Sequence, residues 1–435
     1  MRHLTLKILF VLASLLSSAC IGPFAGRKTP PFTGPPALAV EFNSLAATAH
    51  LAWQQAPKRN FLYYQLLRIS GADTTQLARI DASTDTSLIL EGLGANTLYR
   101  YQLAAHFGKE DEILQSYRSR TVEGGIHLFE RAWSLPSGFL PTRLAIDQKG
   151  IITVVGAGTG RLARFNQKGQ PLGEELFTDN PLARLETGAL DGPVLAHDSA
   201  QNLYIAYNIQ EPGSSPKAFW SKIDPRGKTL WTQPLGVLFV RHLAIDQNDR
   251  IFIESISQLH QFDPQGELVA RYTIPALLVS SLRFWKGSFA ALLEPLHLAD
   301  VGWQAPRLVV YEGLERSQTA LVIGRDPQSE DDKGNGLLRR PTDFVVDEKA
   351  DRVFIVNAGR SRIVVFSNGK FLTNWGRKGD QTGQFHFSGQ ALVIDNIVEG
   401  TTARRQVAAG GIGRDARGFL YVADTFNDRI QQFRP

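Results

Sequence analysis

Tyr421-Val422-Ala423-Asp424-Thr425-Phe426-Asn427-Asp428-Arg429-Ile430-Gln431-Gln432-Phe433 reads as an apolar strand, a polar turn and a second strand. The same phrase returns as Phe354-Ile355-Val356-Asn357-Ala358-Gly359-Arg360-Ser361-Arg362-Ile363-Val364-Val365-Phe366. A supersecondary unit that recurs along a chain predicts a repeat architecture, because one unit cannot bury its apolar faces alone.

The opening of each unit shows the period best. Arg143-Leu144-Ala145-Ile146-Asp147 precedes the strand at Ile151, and Val194-Leu195-Ala196-His197-Asp198 precedes that at Leu203. His242-Leu243-Ala244-Ile245-Asp246, Asp343-Phe344-Val345-Val346-Asp347 and Gly411-Ile412-Gly413-Arg414-Asp415 continue the series. A degenerate copy, Leu282-Arg283-Phe284-Trp285, stands before Phe289. Six units result, with starts roughly 40 to 70 residues apart. Each holds enough strand for a small sheet, and radial stacking of six sheets leaves only short, protected edges. The last unit runs out after its third strand, at Phe433, and Ile126 to Trp133 is a spare strand ahead of the first unit. We therefore expect that spare strand to close a ring by completing the final sheet.

These units resemble the NHL repeat, whose family forms six-bladed β-propellers, over residues 126–435. The resemblance implies a scaffold and leaves function open, because propellers host binding and catalysis alike.

Ahead of the repeats, Arg2, Lys7 and the apolar run Ile8 to Leu16 form a leader too short to span ~30 Å of hydrocarbon. Ser17-Ser18-Ala19 then precede Cys20, the only cysteine. Residues 1–19 resemble a bacterial lipoprotein signal peptide, which implies a lipid on Cys20 and export to the cell envelope. Ile21, rather than an aspartate, follows Cys20, which implies the outer membrane in a Gram-negative cell. Leu16 stands one place earlier than the lipoprotein pattern prefers, so cleavage after Ala19 with release as a periplasmic or secreted protein is the other outcome. Residues 20–36, with Pro30-Pro31 and Gly34-Pro35-Pro36, read as a tether.

Residues 37–123 carry seven alternating strand patterns, the sign of an antiparallel sandwich. Leu93-Gly94-Ala95-Asn96-Thr97-Leu98-Tyr99 resembles the fibronectin type III signature, with Trp53 as core and Tyr99 as the tyrosine corner. The expected fold class is thus all-β, a fibronectin type III-like sandwich followed by a six-bladed NHL-type propeller.

Lys+Arg number 47 against Asp+Glu 42, a net charge of +5, which losing Arg2 and Lys7 lowers by two. So weak an excess, together with export, argues against a nucleic-acid partner. Eight histidines lie beyond the leader (His50, His106, His127, His197, His242, His260, His297 and His386), and none has metal-site spacing. Calcium-dependent hydrolases of this shape need a glutamate opening an inner strand, and none does so here, although Asp343 and Asn208 are oxygen donors. The recurring aspartates are expected to bond their own turns. Asp424, Asn427 and Arg429, like Asn357, Arg360 and Arg362, are expected to tie the turn between second and third strands. Asp326 to Gly336 and Gly376 to Gly383 read as blade connections. No residue is assigned a catalytic or metal-ligating role, and no cofactor is implied.

The candidate ligand-binding residues are Arg143, Arg241, His242 and Asp343. Alternation along a strand gives Arg143, His242 and Asp343 one facing near the axial opening, where they would offer mixed polarity to an anionic or peptide group. Insertions at Asn208 to Ala218, Glu294 to Gln304 and Ser388 to Ala408 are further candidates for recognition. The expected function is non-catalytic binding or scaffolding at the envelope, toward a protein or glycan, with membrane attachment through Cys20. The alternative is a metal-dependent hydrolase or lyase, lactonase-like, working in the channel.

Overall fold

A computed structural model of the chain describes residues 36–44, 46–109, 112–156, 162–172, 193–209, 217–237, 239–255, 258–273, 279–293, 296–298, 302–313, 318–326, 334–388, 392–396, 401–405 and 408–435. The expected leader, Cys20 and nearly all of the tether lie outside these residues, as do parts of the three insertions and of the Asp326 to Gly336 connection. The described chain is all-β, with two single-turn 3-10 segments, Ala358–Arg360 and Thr425–Asn427. No described helix is long and apolar enough to cross a membrane.

Two compact units emerge. One comprises residues 36–39, Ala52–Ser87 and Arg100–Val122. Its strands Asp73–Ile80, Phe61–Ser70, Tyr99–Lys109 and Glu112–Arg118 follow one another across an antiparallel sheet. Tyr64 is fully buried there, with Trp53 edge-on at 5.6 Å. The Tyr64 hydroxyl accepts from the Ala56 amide (2.6 Å) and donates to the Ser83 carbonyl (3.2 Å), so the buried phenol keeps its hydrogen bonds.

The other unit comprises Val40–Leu51, Leu88–Tyr99 and Glu123–Pro435, and it holds six sheets that we call blades 1 to 6. Their inner strands are Pro141–Ile146, Val194–His197, His242–Ile245, Val279–Trp285, Pro341–Asp347 and Gly411–Arg414. Each inner strand touches the next and the sixth touches the first, so the sheets form a closed, propeller-like ring. Blade 6 orders Gly411–Arg414, Leu420–Asp424, Arg429–Phe433 and then Phe129–Ser134. Ser134 faces Arg429 and Phe129 faces Phe433, so the strand ahead of the first repeat closes the ring as its pattern predicts.

The cores lie between blades. Ala290, Leu292 and Val310 of blade 4 pack on Phe344, Ile355 and Val364 of blade 5, and Val154 and Phe165 of blade 1 on Tyr421 and Ile430 of blade 6. Middle strands covered on both faces are apolar throughout, as in Val353-Phe354-Ile355-Val356, all buried. At the closing joint the neighbouring backbone leaves no room for a Cβ at Gly411. A Cβ on Gly411 would meet the Thr142 carbonyl at 2.7 Å, and one on Gly413 would meet Leu144 Cδ1 at 2.2 Å.

The recurring aspartates bond their own turns as their spacing predicts. Asp147 accepts from the Ile151 amide (2.7 Å), Asp198 from Asn202 (2.7 Å), Asp246 from Arg250 (2.9 Å) and Asp415 from Phe419 (2.9 Å). Asp347 differs: its Oδ2 is held by Arg352 at 3.0 Å and Arg414 at 2.9 Å. A second turn recurs beside the outer strand, where Asp224 and Asp263 accept from the amides of Lys228 (2.8 Å) and Glu267 (2.9 Å). Ser44, Ala95 and Asn96 join the ring through Arg352, Thr373 and the Phe129 amide respectively. The Tyr99 hydroxyl accepts from the Gly94 amide (2.7 Å).

Candidate functional site: the axial cavity

Inner strands that run side by side around an axis place equivalent residues in tiers. In the first tier stand Arg143, His242, Ser281 and Asp343. Asp343 is 1% exposed and heavily bonded. It accepts from Ser281 Oγ (2.7 Å), Arg283 Nη2 (3.1 Å) and the amides of Phe344 (2.9 Å) and Ile412 (3.0 Å). Burial alone would raise its pKa. The guanidiniums of Arg283 and Arg143, the latter 3.8 Å away, with the Ile412 and Ser281 donors, reverse this and hold the carboxyl below the usual range.

Arg143 reaches from blade 1 across the axis, where Nη1 donates to the Thr342 carbonyl (2.7 Å) and Nη2 to the Ser280 carbonyl (2.8 Å). His242 donates from Nε2 to the Val279 carbonyl (2.8 Å), because a carbonyl can only accept. Burial, then the charge of Arg143, pushes its pKa down to about 3. The ring is neutral at pH 7, and the 3.7 Å approach to Glu254 is not an ion pair. Of the four residues singled out by sequence, the structure brings Arg143 and Asp343 into contact, with His242 near Arg143. Arg241 is half-buried and its amide donates to the Glu254 carbonyl (3.0 Å). The first tier is therefore a bonded crossbar over one end of the axis.

The space lies in the other half of the strands. A cavity of about 340 Å³ is lined by residues from Leu144 to Ile146 in blade 1, by their counterparts around the ring, including His197, Arg283 and Arg414, and by Glu348. Its volume follows from the second tier, where Ala145, Ala196, Ala244 and Gly413 are too small to fill the lumen. Arg283 is the one long side chain of that tier, and Nη2 ties it to Asp343 and to the Ile412 carbonyl (3.4 Å). Its Nε is buried with no hydrogen-bond partner among the described residues. One tier further, Arg414 pairs with Asp347. Burial pushes the His197 imidazole down to about 4, against the pull of Asp147, so it too is neutral at pH 7. Sequence reading passed over Arg283, Arg414 and His197; alanine or glycine two places before four of the five recurring aspartates was the signal that could have found this lumen.

Among the described residues, no group of three or more His, Cys, Asp or Glu side chains is placed to hold a metal ion. No family model matches the sequence, and no curated protein matches it either. Solved structures are similar in fold only. An auxiliary nutrient binding protein from Bacteroides ovatus is 12% identical, with a TM-score of 0.45 covering 93% of this chain and 100% of that one. A streptogramin B lyase is 11% identical, with a TM-score of 0.43 over 70% of this chain and 96% of the other. The PQQ-bound aldose sugar dehydrogenase of Streptomyces coelicolor is 11% identical, with a TM-score of 0.44 over 70% and 97%.

Proposed function

We propose that this chain is a non-catalytic binding lipoprotein of the bacterial envelope. In this reading Cys20 carries the lipid, residues 20–36 are the tether, 37–123 a fibronectin type III-like sandwich and 126–435 an NHL-type propeller. The propeller recognises a protein or glycan by admitting one projecting group, a side chain or a sugar unit, into the axial cavity. Arg143, Arg241, His242 and Asp343 make the closed end of that site rather than its lining.

One observation carries this reading: a cavity of about 340 Å³ is ringed by the inner strands and opens away from the crossbar. Concave, pre-formed spaces of this order with a few fixed polar groups are the usual form of a ligand site. Because neighbouring blades share their cores, the walls cannot spread to relieve a clash, so the site selects by shape.

The test is binding of the mature protein to arrays of glycans and envelope peptides, run beside Ala196→Phe, which fills the lumen. We expect saturable binding by the parent and its loss in a variant with an unchanged circular dichroism spectrum. Equal binding by both would move recognition to the sandwich or the insertions.

A further inference from the structure

We infer that Arg283 and Arg414 make the axial cavity an anion subsite, which takes a carboxylate or phosphate group of the ligand. This rests on the binding reading above and names the chemistry of the group admitted.

Three observations support it. The first is the isolation of Arg283 in its tier. Its counterparts are Ala145, Ala196, Ala244, Val345 and Gly413. An arginine among small and apolar residues is the one charged group of that tier. Asp343 and the Ile412 carbonyl hold only its Nη2, which fixes the plane of the guanidinium and leaves the remaining N–H groups unbonded among the described residues. The Arg283 side chain is 34% exposed, so the part of the guanidinium that Asp343 leaves open can donate to an oxyanion in the lumen.

The second is the sharing of carboxylates. Asp343 serves Arg283 at 3.1 Å and Arg143 at 3.8 Å. Asp347 serves Arg414 at 2.9 Å and Arg352 at 3.0 Å. Each carboxylate is thus shared by two guanidiniums, and of the four guanidiniums Arg283 and Arg414 line the lumen. The one carboxylate that lines the cavity, Glu348, is exposed and accepts from the Lys286 amide (2.8 Å). Asp147 and Asp198 are turned into their own turns. The third is scale: low-dielectric walls strengthen such attraction, and about 340 Å³ admits a small acid or the end of a chain but not a folded partner.

Isothermal titration of the full-length protein with inorganic phosphate and with citrate, at constant ionic strength in chloride, tests this. The parent should bind one of the two saturably, and which one it is separates a phosphate from a carboxylate ligand. Arg414→Gln should weaken that affinity by on the order of tenfold or more, the usual worth of one hydrogen bond to a charged group. Arg417→Gln, which removes an exposed cation bonded to its own turn at Asp415, should leave it unchanged. If Arg414→Gln fails to fold, Ala196→Phe provides the second measurement and should abolish binding without altering any charge. No saturable binding of either anion by the parent overturns the inference, as does equal weakening by Arg414→Gln and Arg417→Gln. Binding of a neutral disaccharide that Ala196→Phe abolishes, with neither anion bound, overturns the anion assignment while leaving the binding function standing.

Discussion

Asp424 and Asn357 occupy the same turn in neighbouring blades, and one oxygen separates their fates. Asp424 is fully buried and collects Arg429 Nε (2.7 Å), Asn427 Nδ2 (2.9 Å), Gln431 Nε2 (3.0 Å) and the His386 amide (2.7 Å). Asn357 offers Arg362 no carboxylate. The Nε and Nη2 of Arg362 are buried without hydrogen-bond partners among the described residues, and burial, with Arg360 nearby, pulls its pKa down to about 10. The sequence predicts both sets as a tie between second and third strands; Asp424, Asn427 and Arg429 make it, whereas Asn357 bonds the Arg339 amide (2.7 Å) and the Leu337 carbonyl (3.0 Å) of the preceding connection. The sequence could not show that Arg429 also reaches the carbonyls of Gln381 (2.9 Å) and Gln384 (3.0 Å), because that bond needs the preceding connection folded beneath it. Asp424→Asn should therefore cost about 3–5 kcal/mol, the usual result of stranding a buried charge. Urea unfolding at pH 7 measures it, and a loss under about 1 kcal/mol would refute the account. A second residue sets the response to pH. His127 is buried, stacked on Trp375 at 5.3 Å, and donates from Nδ1 to the Arg434 carbonyl (3.3 Å). Burial, then Arg352, lowers its pKa to about 4. A histidine whose folded pKa lies below its unfolded value of about 6.5 binds its proton more readily in the unfolded chain. Its stability is complete above about pH 6.5 and is lost as pH falls toward 4, by up to about 1.4 kcal/mol per unit. His127→Phe keeps the stacking and removes the proton site. Its loss of stability between pH 7.5 and 5 should be smaller than that of the parent; equal losses would show that His127 does not govern this range.

At the scale of elements, closure of the ring depends on one strand pairing with another about three hundred residues later. The periodicity that exposed six units also exposed their remainder, so this pairing was legible in sequence, and Phe129–Ser134 lies beside Arg429–Phe433. The register was not legible. It depends on Phe129 packing against Phe433 at 6.0 Å, and on the Arg434 amide donating to the Leu128 carbonyl (2.8 Å). Phe433 also contacts Trp375 and Phe385, so the last strand holds blade 5 as well as blade 6. A chain ending after Asp428 loses that wedge and the partner of Phe129–Ser134. We expect it to melt without the sharp transition of the parent, and to regain part of that transition when a peptide of residues 429–435 is supplied in excess. Thermal circular dichroism is the measurement. A truncated chain that melts as sharply and as late as the parent would place closure elsewhere.

For the whole molecule, the crossbar at the axis matters more than any single blade. Arg143 belongs to blade 1 yet bonds to carbonyls of blades 4 and 5, on the far side of the ring. The pattern of the inner strands identified Arg143, His242 and Asp343 as sharing a tier. What they bond to depends on the diameter of the closed ring and on the twist of each blade, and neither quantity is written in a local pattern. The lumen was hidden for the same reason, since Ala145, Ala196, Ala244 and Gly413 matter only once six strands face one another. Arg143→Met keeps the length of the side chain and removes both charge-assisted bonds. It leaves the Thr342 and Ser280 carbonyls without that donor, at an expected cost of about 3 kcal/mol. The distinguishing readout is where protection is lost. If the crossbar couples opposite sides, amide hydrogen exchange should accelerate in the inner strands Val279–Trp285 and Pro341–Asp347 as well as in Pro141–Ile146. Acceleration confined to blade 1 would mean that Arg143 merely fills space, and the rigidity of the cavity would then rest on the inter-blade cores alone.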